Sequence, residues 1–243
     1  DTILKDSPTN QFLHDFEAFQ AVTAAGGIVN ALSQTLLKIT SPGIPDFYQG
    51  NELWDFSLVD PDNRRPVDYG LRTKLLDELI QKESSDGLLK TVRELVATAS
   101  DGRMKLHLTW KALTFRRANR ELFESGRYLP LTVAGSFKEQ VCAFERSINN
   151  QSILVVVPRL CARLMSDGNR LPLGAEVWQD TRLLLPLDTE ASSYRNIFTG
   201  ELLLLNQHEG QLSLNLADIL AEFPCALLER FDRICEMPEP SSD

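Results

Sequence analysis

Along the first half of the chain, apolar residues return every three or four positions, and along the second half they return in short runs between turn residues. Ser7-Pro8 reads as a cap and first turn, followed by Phe12, Phe16, Phe19 and Thr23 on one helical face. Gly26-Gly27 marks a break or a close packing point. Ile28, Leu32, Leu36 and Ile39 then form another stripe, which Pro42-Gly43 ends. Residues 44–48 read as a short strand. From residue 49 to 66 the composition turns polar, and Pro61 and Pro66 exclude a continuous helix. Leu71, Leu75, Leu76, Leu79 and Ile80 restore a helical face, and Leu88, Val92, Leu95, Val96 and Ala99 add one more. Residues 101–122 fit both periods. Met104, Leu106, Leu108 and Trp110 alternate, whereas Leu106, Trp110, Leu113 and Arg117 follow a helix, and the lack of turn signals favours helix.

After Gly126, strands are expected at 128–133, 141–145, 153–157, 176–178, 182–185, 196–198, 202–205, 212–216 and 226–229, with one helical turn within 217–223. Many short strands separated by Gly, Pro, Asn and Asp predict an antiparallel sandwich or barrel. Its aromatic residues are scattered among these runs as core residues would be, so a buttressing domain is the expected role of this half.

Composition narrows the function classes. The 243 residues are 43% hydrophobic, enough for a real core. A net charge of −9 without concentrated Lys and Arg argues against nucleic acid and against an anionic membrane surface as partners. No apolar run approaches the roughly 18 residues of a membrane span. Cys142, Cys161, Cys225 and Cys235 lie far apart, as do His14, His107 and His208, so no zinc pattern exists. Free thiols in a reducing cytoplasm are the expectation, and no metal or organic cofactor is expected. The first residue is Asp1 rather than Met, which hints at missing upstream sequence.

The stretch S-P-G-I-P-D-F-Y-Q-G-N-E-L-W-D-F-S-L-V-D-P-D-N-R-R-P-V-D-Y, residues 41–69, is unlike the rest. Helix, strand, long polar loop and helix make a βα unit, and in a (β/α) barrel that end of the strand carries the active site. Carboxylates, amides and guanidinium groups suit hydroxyl-rich ligands, and an indole can stack on a pyranose. Trp54 is equally readable as a core residue. Tyr48 and Glu52 face the site or pack and anchor the loop. Arg65 is expected to pair with Asp62 or Asp68. Trp110 and Trp178 read as core, and His14 as a surface or packing residue.

These residues resemble the end of the barrel in the α-amylase superfamily, where a G-x-P-x-x-Y-x-G-x-E strand leads into the last loop. Gly43, Pro45, Tyr48, Gly50 and Glu52 match, while Asn51 stands where Asp is usual. The continuation from Glu52 is similar more specifically to the maltooligosyl trehalose synthase family. So are N-A-L-S-Q-T-L-L-K (30–38), F-R-R-A-N-R-E-L-F-E-S-G-R-Y-L-P-L (115–131), V-V-V-P-R-L (155–160) and W-Q-D-T (178–181). The resemblance implies that Asp60 and Arg64, the Asp and the Arg of a D-P-x-x-R element, hydrogen-bond a glucose unit one removed from the cleavage point. The plainer alternative is a pair that only stiffens the loop.

The expected fold class is α+β. Residues 1–100 would be the C-terminal end of a (β/α)8 barrel with its last strand, residues 101–126 a connecting helix, 127–236 an antiparallel β-sandwich-like domain and 237–243 a disordered tail. The resemblance implies a parent enzyme that converts the reducing-end α-1,4 bond of a maltooligosaccharide into an α,α-1,1 bond by intramolecular transglucosylation. This chain would supply Asp60, Arg64, Tyr48, Glu52 and Trp54 toward substrate, but no catalytic carboxylate and no activity of its own. Another α-glucan hydrolase or transferase, or a carbohydrate-binding module, are the alternatives. A barrel cut at one edge is expected to self-associate.

Overall fold

The computed structural model describes residues 3–165 and 170–231, and in them helices, a six-stranded sheet and a four-stranded sheet form three layers. The helical layer contains α1 (Gln11–Thr40), α2 (Tyr69–Asp86), α3 (Leu88–Ala97), α4 (Arg103–Ala118) and α5 (Arg120–Ser125). Asn10 caps α1 by accepting from the Leu13 amide at 3.2 Å, so this helix starts later than Ser7-Pro8 suggests. It also runs unbroken through Gly26-Gly27. Glycine costs a helix about 1 kcal/mol per residue, and burial of Val29, Leu32, Leu36 and Ile39 in the following turns offsets that.

Ten strands follow among the described residues: β1 (Arg127–Pro130), β2 (Thr132–Ala134), β3 (Val141–Ile148), β4 (Gln151–Pro158), β5 (Arg182–Leu184), β6 (Ser193–Asn196), β7 (Leu202–Leu204), β8 (Asn206–His208), β9 (Gln211–Asn215) and β10 (Ala226–Arg230). Their order is β1-β3-β4-β10-β6-β7 in one sheet and β2-β5-β9-β8 in the other. Every pairing is antiparallel. Alternation along each strand separates two cores. Leu154, Val156, Ala226 and Leu228 face the second sheet, meeting Leu183 and Leu214. Ile153, Val155, Val157 and Leu227 face the helices, meeting Leu32, Leu36, Leu95 and Leu108.

Three expected strands differ. Residues 44–48 form no ladder, because the described strands pair among themselves in the two sheets and leave that segment without a neighbour. Residues 176–178 belong to a helix, α6 (Gly174–Trp178), which sinks Trp178 into the inter-sheet core with its indole N–H on the Pro172 carbonyl. A short apolar run fits either period, and here the buried ring decides. Residues 196–198 mostly follow β6, and the expected helical turn is α7 (Leu216–Ile219). Trp110 is half-buried on α4, at the rim of the core. Cys161 and Cys225 are buried free thiols and Cys142 is half-buried. Cys235 and residues 237–243 lie outside the described residues.

Candidate functional site

The polar loop begins where α1 ends, and two arginines hold that end. A helix leaves its last carbonyls without partners inside the helix. Arg116, on α4, donates to the Ile39 carbonyl at 2.5 Å and to the Gly43 carbonyl at 2.7 Å. Arg146, on β3, donates to the Thr40 carbonyl at 3.2 Å. The root of the loop is therefore tied to both the helical layer and the sheet.

Further along, the fork of Arg72 on α2 ties the turn at residues 50–52 to the start of its own helix. Its Nε donates to Glu52 Oε2 at 2.8 Å, and its terminal nitrogens reach the Gly50 carbonyl at 2.6 Å and the Asp68 carbonyl at 3.1 Å. Gly50 has φ of 88°, and a Cβ there would lie 3.1 Å from Val67, so glycine suits this turn. Trp54 is half-buried and donates from Nε1 to the Ala99 carbonyl at 2.8 Å. Lys105 donates to the Leu53 carbonyl at 3.3 Å and lies 5.9 Å from the Trp54 ring. Burial, then the charge of Lys38, pushes the Lys105 ammonium pKa down.

Beyond Trp54 the loop rises into solvent. Asp55 accepts from the Ser57 amide at 2.9 Å, and the Ser57 hydroxyl first, then that amide, hold its carboxyl below the usual range. Asp62 accepts from the Leu58 amide at 2.7 Å and pairs with Arg65; the amide is the main cause of its lowered pKa. Asp62 to Arg64 make one 3-10 turn, and this turn sets Arg64 against Asp60 in an exposed ion pair. Phe56, Leu58 and Val59 stand exposed beside it, Phe56 at 88%.

Of the five residues singled out in the sequence, Asp60 and Arg64 are thus brought together with both heads open to solvent. An acceptor pair beside a rigid fork of donors can bind vicinal hydroxyls. Glu52 is engaged by Arg72, and Trp54 is engaged by Ala99 with one face against Lys105. Tyr48 is half-exposed at the start of the turn. The loop's holders, Arg72, Arg116, Arg146 and Lys105, carry no local sequence signal; apart from Asp68, four positions before Arg72, the loop partners cited for them are 20 to 106 residues away. Among the described residues no group of His, Cys, Asp and Glu is arranged to hold a metal ion, and no helix is long and apolar enough to cross a membrane.

No protein-family model matches the chain. A Mycobacterium tuberculosis protein named as a maltooligosyl trehalose synthase is 42% identical over 154 residues, 62% of this chain and 17% of that protein. The structure of maltooligosyltrehalose synthase from Arthrobacter ramosus superposes with a TM-score of 0.67 at 30% identity, covering 95% of this chain and 25% of that one. An α-amylase from Geobacillus thermoleovorans, complexed with acarbose, shares the fold at a TM-score of 0.50 and 14% identity. This chain spans no more than a quarter of the length of the synthases it matches. Sequence and fold together make it a relative of one segment of the maltooligosyl trehalose synthases.

Proposed function

We propose that this chain is the C-terminal portion of an enzyme of the maltooligosyl trehalose synthase type, contributing a substrate-holding loop and a buttressing β domain. The observation that carries this reading is the exposed Asp60–Arg64 pair, presented by a loop rooted on α1, α2, α4 and β3.

In this reading residues 1–100 complete a (β/α) barrel. The segment 44–48 becomes its last strand once neighbouring strands are supplied, residues 101–126 connect, and 127–236 buttress the barrel. The substrate is a maltooligosaccharide and the setting is cytoplasmic. The whole enzyme moves the reducing-end glucose from an α-1,4 to an α,α-1,1 linkage within one molecule. A retaining route of this kind uses two carboxyl groups about 5–5.5 Å apart, one as nucleophile and one as acid/base. Those groups come from other strands, and Asp60 with Arg64 holds a neighbouring glucose unit. No cofactor takes part. Phe12, Phe16, Phe19 and Val22, exposed along the free half of α1, are the face through which the isolated chain self-associates. Light scattering that gave only monomer would oppose that.

The test is a double-mutant cycle in an enzyme that contains this segment whole. Asp60→Ala and Arg64→Ala each lower kcat/KM by about 2–4 kcal/mol of transition-state stabilisation, and the double change costs far less than the sum. Wild-type rates for either single variant would refute the assignment.

A further inference from the structure

The inward-facing positions of the six-stranded sheet are apolar through most of their length and turn polar together at one end. On β3 the inward residues run Val141, Ala143, Glu145, Ser147; on β10 they run Ala226, Leu228, Arg230. The register sets the polar members side by side. Arg127 lies opposite Ser147, Ser147 opposite Ser152, and Arg230 opposite Tyr194. The pairing of Glu229 with Ile153 carries Arg230 to the level of Ser152. A single polar row therefore crosses five adjacent strands, β1, β3, β4, β10 and β6.

Glu145 stands one row behind, opposite Leu129. The connection between β5 and β6 closes over the row with Asp188, Thr189 and Glu190, leaving a cleft of about 310 Å³. This is no washed rim: Tyr194 is 2% exposed and Ser152 is 9% exposed beneath it. Burial raises the Glu145 carboxyl pKa, opposed first by the Ser147 hydroxyl.

The chemistry of this lining is selective. Two guanidinium groups and three carboxylates share the cleft with hydroxyls, so neither an anion nor a cation finds a field of one sign. Forks, carboxylates and hydroxyls interspersed at close spacing suit a neutral ligand rich in hydroxyl groups. Strands lie about 4.8 Å apart, so the row from β1 to β10 spans about 14 Å, the reach of a short oligosaccharide rather than one sugar ring. The one aromatic ring in the lining, Tyr194, is buried, so recognition rests on hydrogen bonds and the ligand is a soluble chain end.

We propose that this cleft is a second saccharide site, away from the Asp60–Arg64 loop, which takes the end of a neutral oligosaccharide of two or three hexose units laid across the strands. The lining argues for the hydroxyl-rich class by itself; the choice of an α-glucan rests on the function proposed above.

The experiment is a titration of the whole chain with maltotriose, followed by NMR line shifts, with trehalose and inorganic phosphate as separate arms. Maltotriose should bind saturably, with a millimolar dissociation constant that Glu145→Gln and Ser147→Leu each weaken about tenfold. Line shifts of the residues lining the cleft should saturate with the same dissociation constant in the Asp60→Ala/Arg64→Ala variant, which removes only the loop's own contacts with sugar. Circular dichroism confirms the fold of each variant, and Glu145→Gln preserves the shape of the wall if Ser147→Leu does not fold. Trehalose binding with the same variant pattern supports the site and widens its ligand range. No saturation at tens of millimolar maltotriose, phosphate binding that Glu145→Gln leaves intact in place of sugar, or binding lost only in the loop variant would overturn the proposal. Failure of the Asp60 and Arg64 cycle in the whole enzyme would overturn the functional reading instead and leave the cleft standing.

Discussion

The guanidinium of Arg146 donates to the main-chain carbonyl of Thr40, 3.2 Å away at the end of α1. The same side chain reaches the Leu122, Phe123 and Gly126 carbonyls at 3.2, 2.9 and 3.0 Å, where α5 ends. Arg146 is 1% exposed, and it donates to main-chain carbonyls rather than to carboxylates. Two helix C-termini supply the counter-charge, each equivalent to about half an electron charge. One arginine thus neutralises two helix ends and joins the sheet to both.

Arg146→Met should destabilise the chain by about 3–5 kcal/mol, because the buried carbonyls lose their donors. Arg146→Lys should recover only part of this, since a point-like ammonium cannot span four acceptors held by a planar fork. Urea unfolding of the two variants checks the order. Equal stability of Lys, Met and the parent would contradict this account.

Arg72→Ala should loosen the loop without unfolding the protein. It removes the partners of Glu52, Gly50 and Asp68 at once, at a cost of about 1–2 kcal/mol. Hydrogen exchange should quicken across residues 49–55 while α4 stays protected. Uniform quickening everywhere would mean that Arg72 serves global stability instead.

His107 makes the fold sensitive to acid. It is fully buried on α4 among Trp110, Phe198 and Phe223, with Nε2 3.2 Å from the Phe198 carbonyl and Nδ1 unpartnered. Burial pushes its pKa from 6.5 down to about 4. The unfolded chain takes up this proton as pH falls below 6.5, and the folded chain resists until about pH 4. The contribution is therefore complete above pH 6.5 and lost between 6.5 and 4, by about 3 kcal/mol. His107→Phe should flatten that part of the stability profile. An unchanged slope would rule the residue out.

The isolated chain should not act on maltopentaose. Retaining transfer needs two carboxyl groups on either side of one glycosidic bond, and a barrel gathers them from several strands. Asp46, Glu52, Asp55, Asp60, Asp62 and Asp68 all come from one segment. Glucose release or loss of reducing ends above a buffer blank, abolished by replacing one of the six, would place a site within these residues.

The parts legible in the sequence were those decided locally. The stripe of Leu71, Leu75 and Leu79 marks α2, and the β-branched run of β4 marks a strand buried on both faces. The Asp60–Arg64 pair is visible because its members are only four positions and one turn apart. What could not be read depends on distant groups. Gly26-Gly27 looks like a break until the burial of the following turns is known. Residues 44–48 look like a strand, but a strand exists only with a neighbour. Arg146 looks like an ordinary charge beside Glu145, because its four acceptors lie 20 to 106 residues away.

The position of β10 also bears on how the chain comes off the ribosome. It is the last strand described, yet it sits inside the sheet between β4 and β6. Ser33 on α1 meets the Pro158 carbonyl at 2.9 Å, and Arg93 meets Glu222 across 129 residues. Nascent α1 can pack on α4 and β4 earlier, but the edge of β4 beneath Leu32 and Leu36 stays open until residues 226–230 have been made, roughly 10–40 s after α1 at usual elongation rates. Shelter by a chaperone is the natural requirement of such an interval. A stop codon placed before β10 would leave β4 and β6 with no strand between them to pair with, so the earlier helices would have no finished sheet to close upon.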